Sequence, residues 1–91
     1  MAEVSCEVSE GLRPSEATVA VRDVYGRQQF LRVERDFLAA DNGRWLLPVG
    51  VVFDDRSSPS VLVELPHEAD SGANRLWVPR ENLRRPSKTA V

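Results

Sequence analysis

The chain has few of the residues on which catalytic and metal sites are usually built. Its 91 residues include one cysteine, Cys6, and one histidine, His67. A tetrahedral zinc site takes several Cys and His ligands, which the chain does not offer. A Ser-His-Asp triad would have to use His67, and the sequence contains no serine in a G-x-S-x-G turn to serve as its nucleophile. The five glycines stand apart from one another, so no glycine-rich loop is available to cradle a phosphate. We therefore predict no catalytic residues, no metal site and no cofactor.

One short segment, residues 67–71, does place a histidine, two carboxylates and a hydroxyl close together. Such a group could serve acid–base chemistry, but loops between strands are polar for reasons of solvation alone. We interpret the segment as a polar loop, and an enzyme centred on His67 is the least favoured function.

Long apolar runs are also missing. No stretch approaches the ~18 apolar residues of a membrane-spanning helix, and the first residues lack the basic and apolar parts of a signal peptide. A single cysteine cannot form an internal disulfide and fits a reducing compartment. We predict a cytoplasmic protein without membrane contact.

Lysine is nearly absent, with one lysine against eleven arginines, which we attribute to the codon composition of a GC-rich bacterial genome. The net charge of −2 disfavours a general affinity for nucleic acid. The charge is unevenly spread, because residues 1–16 are acidic and residues 80–91 are basic.

Alternating apolar and polar residues are the main structural signal in the chain. Leu76 and Val78, for example, point to one face of a strand, while Arg75 and Trp77 point to the other. The same alternation predicts strands over residues 18–22, 28–33, 61–65 and 75–79. In the second of these strands Phe30 is expected on the outer face.

The turns are marked by glycine, proline and asparagine. Asn42-Gly43 favours a tight type I′ hairpin. Residues 34–40 before it fit either a short helix or a strand. Pro48 and Gly50 interrupt the most apolar run, 45–53, which we expect to form two short strands meeting at a corner.

Together these patterns predict an all-β domain of five to seven short strands with one or two single helical turns, folded as a small barrel or sandwich. The barrel is predicted over residues 17–83. Residues 1–16 are predicted to be a flexible acidic arm, because they contain few large apolar side chains, and residues 84–91 a flexible basic tail.

The end of the predicted domain resembles a known family. Residues 77–83, WVPRENL, run from an apolar strand through a proline into one helical turn that carries Leu83 back to the core. This resembles the end of SH3-like barrels, and residues 49–52 with 61–65 look like their paired middle strands. The resemblance covers roughly residues 49–83 and implies a small barrel. Peptide-binding SH3 domains carry an ALYDY-like aromatic segment near their start, whereas residues 20–25 of this chain offer only Tyr25.

The predicted function is that of a non-catalytic protein-interaction or assembly module that binds a protein partner or associates with itself. Trp77 is either buried by a strongly curved barrel under a loop or the N-terminal arm, or it points outward beside Arg75, and an outward tryptophan of this kind is typical of interface anchors. The candidate binding residues are Trp77, Arg75, Phe30, Tyr25 and Arg80. The alternative is a nucleic-acid-binding barrel in which the aromatic face stacks bases and the C-terminal arginines hold phosphates.

Overall fold

The computed structural model describes residues 2–85, and in this range the protein is all-β. Eight strands and two single 3₁₀ turns make up its regular structure. In chain order they are β1 (Ala2–Glu10), β2 (Glu16–Arg22), β3 (Gln28–Glu34), η1 (Arg35–Phe37), β4 (Ala39–Asp41), β5 (Arg44–Phe53), β6 (Ser60–Glu64), β7 (Arg75–Pro79), η2 (Arg80–Asn82) and β8 (Leu83–Arg84). The described residues contain no helix of the length and apolarity that a membrane crossing requires.

The strands form one antiparallel sheet that curls into a half-barrel. Its order is β3-β2-β1-β5-β6-β7, with β4 added to β5 and β8 added to β1. The chain leaves β7 through η2 and returns in β8 to the start of β1, where Leu83 pairs with Val4. Leu83 packs against the core, as the sequence predicts.

The largest correction concerns the N-terminal segment, because the prediction of a flexible arm over residues 1–16 is wrong. Residues 2–10 instead form β1, a central strand that pairs with β5 on one side and with β2 and β8 on the other. Ala2 and Val4 are fully buried. The alternation of Ala2, Val4 and Cys6 with Glu and Ser is the available signal, and the acidic charge of the segment and the breaks at Gly11 and Pro14 favour an arm instead. Of the predicted basic tail, Arg84 lies in β8, and residues 86–91 lie outside the described range.

The Asn-Gly hairpin is confirmed. Asn42 and Gly43 have φ angles of 53° and 75°, as a type I′ turn requires, and they join β4 to β5. The ambiguous residues 34–40 combine both alternatives, because the single turn η1 leads directly into the short strand β4. The apolar run is one continuous strand, β5, rather than two, and a register irregularity between Val51 and Phe53 supplies its bend.

The core between the curled strands is aliphatic. Its fully buried members alternate along the strands with outward residues and include Val19 and Val21 of β2, Val61 and Val63 of β6, and Val78 of β7. All six aromatic residues of the chain lie outside this buried core. Large aromatic side chains usually supply much of a small domain's buried area, so their placement on the outside is unusual.

The two ends of the sheet, β3 and β7, meet along what we call the seam. The Val24 N–H, in the turn between β2 and β3, donates to the Trp77 carbonyl at 2.9 Å. The Asp70 N–H, in the loop between β6 and β7, donates to the Phe30 carbonyl at 2.7 Å. Both edge strands are therefore partly capped by loops, which limits the backbone groups they offer for aggregation.

Candidate interaction surface

Trp77 lies on the outer face of the half-barrel. Its neighbours Leu76 and Val78 are buried in the core, so the alternation of β7 turns the indole away from it. The indole is half-buried rather than fully exposed. The ring of Phe53 covers part of the indole. It packs edge-on against it, with the ring centroids 6.2 Å apart and an angle of 77° between the ring planes.

The two rings meet over Leu62. In the register of the sheet Phe53 is the partner of Leu62, and Leu62 is the partner of Trp77, so the three side chains form one row across β5, β6 and β7. Phe53 remains 55% exposed. We call this row, Phe53, Leu62 and Trp77, the aromatic patch.

Charged residues border the patch on both sides. Arg75 pairs with Glu64 across the adjacent row, at 3.4 Å between Nη2 and Oε1. On the other side Arg80 lies 2.8 Å from Asp54, which directly follows Phe53. An apolar centre with a charged rim is the usual composition of a protein interface.

Arg80 holds the loop between β5 and β6 in place. Its guanidinium donates to the carbonyls of Ser58 and Asp55, at 2.8–3.0 Å. The positive Arg80 guanidinium beside Asp54 also holds the pKa of that carboxyl below its usual value. Arg80 therefore fixes the loop beside the aromatic patch instead of extending into solvent.

The other C-terminal arginines also face carboxylates. Arg84 contacts Asp41 and lies 4.0 Å from Glu3, and Arg85 contacts Asp54. These carboxylates balance the charge of the two arginines, so Arg84 and Arg85 do not present an uncompensated basic surface to a phosphate backbone. Lys88, the remaining basic residue of the predicted tail, lies outside the described residues.

The remaining predicted site residues are dispersed. Phe30 projects from the outer face of β3 with 43% of its surface exposed. Tyr25 is exposed in the turn between β2 and β3, where the Arg27 guanidinium stacks 5.2 Å from its ring centroid. The seam brings that turn to the edge of β7 through Val24, next to Trp77. Of the predicted residues, Trp77, Arg75 and Arg80 thus lie in or beside the aromatic patch, while Phe30 and Tyr25 lie across the seam.

Sequence reasoning does not find Phe53 and Leu62. Phe53 ends the most apolar run, so its pattern assigns it to the strand that crosses the core. The irregularity at Val51–Phe53 changes its register and turns the ring to the outer face. A bulge of this kind is set by pairing with β6, which the local sequence does not encode.

No family model, curated protein or solved structure matches this chain.

Proposed function

We propose that the domain is a non-catalytic protein-interaction module built on an SH3-like small barrel, and that the aromatic patch is its docking surface. The observation that carries the proposal is the Phe53–Trp77 pair on the outer face of the sheet. Tryptophan is among the residues most enriched at the positions that contribute most to binding in protein interfaces.

The proposed partner is a second copy of the chain. The row next to the patch carries Glu64 and Arg75 side by side. If two copies meet face to face about a two-fold axis, Arg75 of each copy can approach Glu64 of the other while the two patches cover one another. A two-fold interface of this kind needs only one self-complementary surface.

Sedimentation velocity over a range of concentrations tests the proposal. We expect the apparent mass to rise with concentration for the wild type and to remain that of a monomer for Phe53→Ala. Because Phe53 is half exposed, its truncation should leave the fold intact. Trp77→Ala should have the same effect, and Tyr25→Ala, which removes an exposed aromatic ring outside the patch, should associate like the wild type.

A wild type that remains a monomer at all concentrations would contradict the self-association. Association that survives Phe53→Ala and Trp77→Ala would assign it to another surface. Binding to an oligonucleotide at low salt that is lost as salt rises would favour the nucleic-acid alternative instead.

A further inference from the structure

A groove runs between η1 and the end of β6, on the side of β5 that faces away from β1. There β4 pairs with residues 44–46 of β5 and β6 pairs with residues 50–53. Within residues 2–85, the intervening residues 47–49 have a strand partner only on the β1 side. This gap opens into a cavity of about 420 Å³, lined by the side chains of Phe37, Pro48, Val52 and Pro66 among others.

A second cavity of about 490 Å³ continues on the other side of Phe37. It is lined by Val33, Asp36 and His67, and Phe37 and Pro66 contribute to both cavities. Because the two cavities adjoin at Phe37 and Pro66, we treat them as one surface and call it the Phe37 groove.

The apolar side chains of the Phe37 groove are incompletely covered. Phe37 is 43% exposed and Val52 is 38% exposed, and η1 contributes no buried residue of its own. Concave apolar surfaces with a few polar groups at the rim are the usual form of a binding site.

The rim of the Phe37 groove is acidic. Among the described side chains that line the Phe37 groove, the charged ones are the carboxylates of Glu34, Asp36 and Glu64. Glu34 and Glu64 each have an exposed arginine at 3.4 Å, Arg13 and Arg75 respectively. Both ion pairs are exposed and therefore weak, so a basic partner can replace the arginines at little cost.

We propose that the Phe37 groove binds a peptide segment of a partner protein in which bulky aliphatic side chains are flanked by arginine or lysine. The aliphatic side chains contact Phe37, Pro66 and Val52, and the basic side chains pair with the acidic rim. The site contains none of the three residues of the aromatic patch, although Glu64 borders both surfaces, and the proposal does not depend on the proposed self-association.

The probe is a short synthetic peptide with a pair of leucines between flanking arginines. We expect it to shift the amide NMR resonances of Phe37, Val52 and His67. Phe37→Ala should weaken binding tenfold or more, because truncation of a central anchor typically costs over 1.4 kcal/mol. Phe30→Ala is the matched control, since Phe30 is equally exposed but does not line the groove, and it should bind like the wild type.

Two further variants keep the proposal testable if Phe37→Ala unfolds. Glu34→Gln combined with Asp36→Asn changes only exposed side chains and should weaken binding several-fold and reduce its salt dependence. Phe53→Ala should leave peptide binding unchanged, which separates this site from the aromatic patch. Equal binding of a peptide with glutamates in place of arginines, or shifts that avoid the groove, would overturn the proposal.

Discussion

Asp23 is a buried carboxylate that organises the turn between β2 and β3. Its Oδ1 accepts hydrogen bonds from the N–H groups of Tyr25 and Arg27, at 2.9 and 3.0 Å. Its Oδ2 accepts from the side chains of Arg27 and Gln29, each at 3.2 Å. Burial by itself raises the pKa of Asp23, but the hydrogen bonds from Arg27, Gln29 and Tyr25 outweigh it and hold the pKa below its usual value.

This direction of the pKa shift predicts acid sensitivity. A carboxyl group whose pKa is lower in the folded than in the unfolded protein stabilises the fold above the unfolded pKa, about 3.9. That contribution is lost as the pH falls through the folded pKa. Asp23→Asn keeps an oxygen for the two N–H groups but removes the charge. We expect it to lower the free energy of unfolding by about 1–2 kcal/mol at pH 7.

Urea unfolding at a series of pH values measures the effect. The difference in free energy of unfolding between the wild type and Asp23→Asn should narrow as the pH falls below about 4. The control is Asp36→Asn, because Asp36 is an exposed carboxylate in η1 and its charge is removed at a solvated position. A pH-independent difference would show that the charge of Asp23 does not stabilise the fold.

At the scale of single elements, β1 is the clearest test of the architecture. Val4 is fully buried between β5 and β8, whereas Val24 is 38% exposed in a turn. Val4→Ala removes two buried methyl groups and should lower the free energy of unfolding by about 2 kcal/mol. Val24→Ala should change it by less than about 0.5 kcal/mol. If chemical denaturation shows that both variants lower the free energy of unfolding by the same small amount, residues 2–10 are a flexible arm and not a central strand.

The hairpin between β4 and β5 allows a second test at this scale. Gly43 has a φ angle of +75°, and a Cβ added there would meet no neighbouring atom within 4 Å, so Gly43→Ala isolates the conformational penalty. We expect it to cost about 1–2 kcal/mol. Gly50 has no positive φ, and a Cβ there would meet only the Glu64 Cβ at 3.9 Å, so Gly50→Ala should cause no loss. Thermal unfolding midpoints measure both effects, and we expect a lower midpoint than that of the wild type for Gly43→Ala alone. Equal midpoints for the two variants would contradict the type I′ assignment of the turn.

The sequence predicts the features that depend on neighbouring residues, and it does not predict those that depend on pairing between distant strands. β2, β3, β6 and β7, the Asn42-Gly43 turn and the return of Leu83 to the core all depend on local alternation or turn chemistry, and all are predicted. β1 carries the same alternation of small apolar and polar residues as β2, but its acidic charge and the breaks at Gly11 and Pro14 favour a terminal arm, and its central position depends on pairing with β5 and β8. The position of Phe53 depends on pairing between strands, which is set by the whole sheet rather than by neighbouring residues.

At the scale of the whole molecule, the seam determines whether the edges of β3 and β7 are covered. Gln29 is buried, and its side chain accepts from the Ser71 hydroxyl at 2.7 Å and donates to Asp23 at 3.2 Å. It therefore joins β3, the turn after β2 and the loop between β6 and β7. The contact with Ser71 spans 42 positions of the chain, so local sequence patterns do not predict the seam.

Gln29→Met keeps the approximate volume of the side chain and removes both hydrogen bonds. We expect the seam to open more often, because the loss of the two hydrogen bonds lowers its opening free energy by about 1.4 kcal/mol. The amide hydrogens of Val24 and Asp70 should then exchange about tenfold faster. Amides in the centre of the sheet, such as that of Val63, should exchange almost as in the wild type.

Gln28→Met is the matched control, because Gln28 is the exposed neighbour on the same strand and should leave all exchange rates unchanged. Uniformly faster exchange in Gln29→Met would indicate global destabilisation, and unchanged exchange at Val24 and Asp70 would show that the seam is held by its backbone hydrogen bonds alone.

If the seam does open, the freed edges of β3 and β7 offer unpaired N–H and C=O groups to other strands. The same variant should then aggregate faster than Gln28→Met at equal concentration, because the polar network of Gln29 is what keeps those edges capped.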